Sequence, residues 1–174
     1  MLKKIVFSFL CLLMIYSTGI VAYRFFEPQA DYTHQNKDSY ISYASLHDYI
    51  IATGESSIHY LFFFSGYSKD SLYVQTTVLN DVEQTTGLDL DTLIEIVDLS
   101  ELNPEDIPLT LANDWGLSNF PAFVAVTVED SKIKVLNKLE WTDDNPINKS
   151  SLENWLSENE LYNNGKFRRK SNHK

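Results

Sequence analysis

Ser68 and Ser71, two hydroxyls three residues apart in Ser68-Lys69-Asp70-Ser71, are the side chains best placed for chemistry. They follow a short apolar run, 60–64, and a Ser65-Gly66-Tyr67 turn, and a long helical pattern comes after them. A hydroxyl at a helix start can cap free backbone N–H groups or face a ligand. To act as a nucleophile it needs a base within hydrogen-bond reach. His47 and His59 are the histidines of the folded region, and neither stands in a motif relation to Ser68, so a hydrolase reading finds little support. Sulfur chemistry is limited by count. The chain has 1 Cys, Cys11, inside an N-terminal apolar stretch. A dithiol–disulfide cycle needs an attacking and a resolving thiol. Zinc and iron–sulfur sites likewise need several thiolates or a Cys/His cluster. Asp89 and Asp91 alternate with leucines as in a solvated turn, without calcium-loop spacing. No metal and no cofactor is implied.

Elements must position those serines, and composition allows one ordinary core. The chain has 174 residues, 44% hydrophobic and 22% charged, which suits a folded domain. Lys3 and Lys4 precede an uncharged run, 5–22. A membrane span needs about 17–25 such residues and a signal-peptide core about 7–15. The expectation is an N-terminal transmembrane helix acting as a signal-anchor, with the folded part on the extracytoplasmic side. A cleaved signal peptide, which would leave a secreted domain, is the alternative. The segments are 1–23 as signal-anchor or signal peptide, 24–38 as linker, 39–162 as folded domain and 163–174 as basic tail.

Net charge is −10, unevenly spread. Residues 24–164 hold 7 basic against 24 acidic residues, a net −17, while Lys166, Arg168, Arg169, Lys170 and Lys174 follow with no acid. An acidic body excludes a nucleic-acid partner, since a phosphate backbone demands cationic neutralisation. The tail reads as a solvated end, with an anionic surface as its other possible neighbour.

Along the domain, Tyr40-Ile41-Ser42-Tyr43 reads as a first strand, and Ser45 with Asp48 as a capping box for a first helix stopped by Gly54. Residues 58–64 form a continuous apolar run suited to a central strand covered on both faces. Leu72, Val78, Leu79 and Val82 give a helix over about 69–86, ended by Gly87. A buried strand over 93–98, a helix over 108–115 and a strand opened by Pro121 come next. An antiparallel partner spans 132–139, and a last helix carries Leu152, Trp155 and Leu156, capped by Ser150 or Ser151. Asn148-Lys149-Ser150 is a formal glycosylation triplet. Trp141, past the last strand, reads as a packing residue.

This order, with Ser68-Lys69-Asp70-Ser71 at a helix start and Ser118-Asn119-Phe120-Pro121-Ala122-Phe123-Val124 downstream, resembles the thioredoxin family over about 40–161. The resemblance implies an α/β fold, a thioredoxin-like mixed sheet flanked by helices. In the family a Cys-x-x-Cys pair opens the helix and faces a cis-proline. Here the cysteine positions are Ser68 and Ser71, and the carboxylate that many members bury six residues earlier is replaced by Phe62. The resemblance therefore implies a degenerate site and no redox enzyme. It also implies a cis bond at Pro121 and a peptide groove lined by Tyr67, Phe120, Pro121 and Trp115. In that setting Ser68 either caps the helix or offers a hydrogen bond to a bound segment. The chain is similar to small Gram-positive thioredoxin-like proteins, bacteriocin transport accessory proteins among them. The function so implied is a membrane-anchored, redox-inert assembly or export accessory factor binding a partner or an extended peptide. A protein acting on partner thiols and a purely structural ectodomain are the alternatives.

Overall fold

The central strand of the sheet is Ile58–Phe64, whose sequence Ile-His-Tyr-Leu-Phe-Phe-Phe is buried at every position after the first. Such a run arises when helices cover both faces of a sheet. The computed structural model describes residues 40–163 and 166–167. They fall in the second of two units of the chain, Met1–Asp38 and Ser39–Lys174.

In chain order, β1 (Ile41–Ser42) leads into α1 (Tyr43–Ala52), and β2 is Ile58–Phe64. A long helix, α2, runs over Lys69–Tyr73, widens into a π-helical stretch at Val74–Val78 and continues over Leu79–Thr86. Then come α3 (Leu90–Leu93), β3 (Glu95–Asp98), α4 (Ile107–Trp115), β4 (Ala122–Glu129), β5 (Lys132–Glu140), α5 (Lys149–Glu158), β6 (Tyr162–Asn163) and β7 (Lys166–Phe167). The main sheet has the order β1-β3-β2-β4-β5. β1 and β2 each pair parallel with β3, whereas β4 pairs antiparallel with β2 and β5 with β4. This is the mixed sheet that the resemblance implies.

Alternation along β2 and β4 sends side chains to two layers. Tyr60, Phe62, Phe64, Phe123 and Ala125 pack under α2 and α5, against Val74, Val78, Val82, Leu152 and Trp155. Leu61, Phe63, Ala122, Val124 and Val126 pack under α1 and α4, against Leu46, Ile50, Leu111 and Trp115. Phe62 and its cross-strand partner Phe123 stack with ring centroids 4.6 Å apart. Such a pair adds about 0.5–1.5 kcal/mol beyond area burial.

Several expectations are corrected. Among the described residues no helix is long and apolar enough to cross a membrane. Their longest, α2, carries Lys69, Asp70, Asp81 and Glu83 and buries only one side. The segment 1–23, to which the sequence assigns the transmembrane helix, lies outside the described residues, as does the linker 24–38. The anchored function, the membrane partner and the single-pass extracytoplasmic location are therefore set aside.

Locally, α1 begins at Tyr43 rather than at a Ser45 capping box, because Ser45 Oγ donates instead to Ser42 C=O at 3.0 Å. The α5 cap is Asn148, which accepts from Ser151 N–H at 3.0 Å while Ser151 Oγ accepts from Asn148 N–H at 2.9 Å. Asn148 of the glycosylation triplet is thus engaged in a capping box. Asp89 is the N-cap of the short helix α3 and Asp91 lies in its first turn, so the pair belongs to a helix start rather than a plain turn. β6 and β7 pair antiparallel, so the start of the segment read as a tail forms a second small sheet.

Candidate functional site

Strand register brings the two motifs to one end of the sheet. Phe63 pairs with Ala122, so the Ser65–Ser68 turn leaving β2 and the 116–121 loop entering β4 lie side by side. A third loop supports the turn: Gly66 N–H donates to Ser100 Oγ at 3.1 Å, and Leu99 N–H to Phe64 C=O at 2.8 Å.

Ser68 is the N-cap of α2, with extended backbone, and its Oγ accepts from Ser71 N–H at 3.2 Å. Ser71 is fully buried, and its Oγ accepts from Ser65 N–H at 3.3 Å. One hydroxyl terminates the helix and the other ties the preceding turn to it. Among the described residues no histidine bonds either serine; His59 sits in a separate cluster, its Nδ1 2.8 Å from Glu95 Oε2 and its Nε2 2.8 Å from Thr53 Oγ1. Tyr49 Oη donates to the same carboxylate at 2.7 Å, and this bond, followed by burial, pushes the phenol up to about 12.

The Phe120–Pro121 bond is cis. Pro121 is buried, and its C=O accepts from Trp141 N–H at 3.0 Å. Phe120 is half-buried against the α1/α4 layer. Among the described residues no backbone hydrogen bond engages Phe120. Tyr67 stands 74% exposed at the turn. Trp115 is placed differently: it is 7% exposed, its ring lies 5.3 Å from that of Phe63, and its indole N–H donates to Tyr43 Oη at 3.0 Å. The structure thus brings Tyr67, Ser68, Phe120 and Pro121 to one end of the sheet and puts Trp115 in the core.

Sequence reasoning missed what holds the proline loop. Glu140, the last residue of β5, accepts from the N–H groups of Ser118 (2.6 Å) and Asn119 (2.9 Å) through Oε2. Its Oε1 lies 2.7 Å from Lys138 Nζ, which also donates to Gly116 C=O at 2.6 Å. Burial alone would raise the Glu140 carboxyl. Lys138 and the two amides outweigh it and hold the group below its ordinary value. Spacing offered one weak signal, since Lys138 and Glu140 alternate onto the same face of the strand.

A cleft of about 410 Å³ opens beside this end of the molecule. The first turns of α2 supply Asp70 and Tyr73, and the segment after β5 supplies Trp141, Asp143, Pro146 and Ile147. Tyr73 and Trp141 meet edge to face with centroids 6.1 Å apart. Trp141, read from sequence as packing alone, therefore touches both the proline loop and an open cleft.

No family model matches the chain, and no curated protein matches it. Among solved structures, it is similar to Trichomonas vaginalis thioredoxin: 18% identity, 70% of this chain and 97% of that one, TM-score 0.41. The oxidised C-terminal domain of Neisseria meningitidis DsbD shows 17% identity over 67% and 91% of the two chains, TM-score 0.40. A Thermus thermophilus thioredoxin shows 16% identity over 71% and 88%, TM-score 0.40. Likenesses this distant carry no functional argument. The thioredoxin-like sheet rests on the strand order and pairing described above. Ser68 and Ser71 stand where that fold carries a dithiol, and with a single cysteine in the chain no such pair exists. The site is degenerate and does not perform thiol–disulfide exchange.

Proposed function

We propose that this chain is a redox-inert binding protein whose proline loop holds an extended segment of a partner. The observation that carries the reading is the Phe120 backbone, which has no backbone partner among the described residues while its neighbours on both sides are fixed. Unpaired N–H and C=O groups on a rigid loop can add an extended chain by main-chain hydrogen bonding. Tyr67 and Phe120 supply apolar surface beside them. Replacement of the dithiol by a cap and a tie, and of a buried acid by Phe62, keeps the scaffold and omits electron transfer. The resemblance to bacteriocin transport accessory proteins supports a narrower setting, assembly or export of a peptide.

A photo-crosslinking residue at position 120 in the full chain is expected to capture a defined partner, and the same residue at exposed Leu109 is expected not to. Equal capture at both positions would remove the groove reading and leave a structural domain.

A further inference from the structure

We infer that the cleft between α2 and the 141–147 segment takes a cationic side chain, lysine or arginine, from a basic partner segment. The inference rests on the proposal that the proline loop binds an extended chain, and it adds the chemistry that chain carries.

Wall and rim point to the same ligand. Tyr73 is 46% exposed and meets Trp141 edge to face, so the aromatic wall is open to solvent on one side. Buried Ile147, with Pro146, gives an apolar floor. Asp70 and Asp143 line the same cleft, and neither side chain has an ion pair or hydrogen bond among the described residues. An ammonium or guanidinium group is attracted by aromatic faces and by carboxylates alike, and its aliphatic stem lies well on an apolar floor. An anion would face both carboxylates, with Asn148, the N-cap of α5, as the one lining residue at a helix start.

A metal ion is a poorer fit. Two carboxylates and two aromatic rings make a thin donor set, and no group of three or more potential metal ligands occurs among the described residues. Asp70 also sits in the first turn of α2, where a negative charge favours the helix dipole. That role does not extend to Asp143, which lies in the turn closed by Thr142 and Asn145. Position ties the cleft to the loop: Trp141, its shared wall, donates its backbone N–H to Pro121 C=O. A body of net −17 over 24–164 draws basic segments from a distance as well.

The test uses the full chain and three extended peptides identical except for one residue, arginine, glutamine or glutamate. Amide and indole NMR shifts report binding at Phe120 and at Trp141 separately. The arginine peptide is expected to bind about tenfold more tightly than the glutamine peptide at low salt. That preference should vanish in the surface double variant Asp70→Asn/Asp143→Asn, with glutamine-peptide binding at Phe120 unchanged.

If glutamine and arginine peptides bind equally while Phe120 shifts, the cationic cleft is refuted and the loop reading survives. If N-acetyl-arginine methylamide shifts Trp141 but no peptide moves Phe120, the loop reading fails and the cleft stands by itself. If deleting 168–174 shifts Trp141 in the absence of peptide, the occupant is this chain's own basic end, and the partner assignment is overturned.

Discussion

At the scale of single residues, Ser68, Ser71 and Phe62 each carry a mechanical task. Ser68 caps α2 through one bond, to Ser71 N–H, so Ser68→Ala should cost about 0.5–2 kcal/mol. Urea denaturation checks this, and Ser68→Asp, which can still cap, should recover most of the loss. Phe62 is wholly buried on Phe123. Placing an acid there by Phe62→Asp removes a large side chain at about 3–5 kcal/mol and adds desolvation of a carboxylate. The variant is expected to unfold well below the wild-type melting temperature.

His59 has a comparable structural duty. Thr53 Oγ1 donates to Ile50 C=O at 2.6 Å and lies 2.8 Å from His59 Nε2, while Nδ1 lies 2.8 Å from Glu95 Oε2. His59→Leu should cost about 1–3 kcal/mol by leaving Thr53 and the part-buried Glu95 without their partner. Glu140 gives a pH dependence. Its folded-state carboxyl is held below the ordinary value, so its contribution is complete above the unfolded-state pKa and is lost as pH falls through the folded-state one. Amide exchange at Ser118 and Asn119 should therefore accelerate below about pH 4, the ordinary carboxylate range. In Glu140→Gln it should be fast already at neutral pH.

At the scale of elements, local pattern and tertiary contact can be separated. β2 was legible because seven strand-forming residues in a row, bounded by polar turns, have few other uses. The end of α2 was legible because Gly87 adopts φ 67°, a left-handed cap. The π-helical stretch at Val74–Val78 was not, since the same residues satisfy an ordinary helical period. α3 is four residues long, too short to show a period. The α1 start was misread because a Ser-x-x-Asp pattern outranked Ser42, whose side chain makes no cap bond. In the site, Ser68 and Pro121 were visible as motif positions. The hold of Glu140 on the proline loop left only the Lys138/Glu140 alternation as a trace, because its other partners are backbone amides 21 and 22 residues away, which leave no mark in residue type. Trp115 shows the reverse: an aromatic near the loop in sequence that the helix turns into the core.

At the scale of the whole molecule, a mixed five-stranded sheet stands without a dithiol. The purified chain should reduce insulin no faster than buffer does, because one cysteine cannot close a dithiol cycle. Turnover above that baseline would contradict the degenerate site. Association with a basic partner should weaken steeply with ionic strength, as the acidic body is screened beyond about 8 Å at 0.15 M salt. The margins of the sheet bear on how such a partner can arrive. β1 is a two-residue stub, and the outer strand β5 sets exposed Lys132, Lys134 and Lys138 along its length. Short or lysine-studded borders discourage strands of neighbouring copies from annealing to them. Concentrated solutions should therefore scatter light as discrete particles instead of growing fibres.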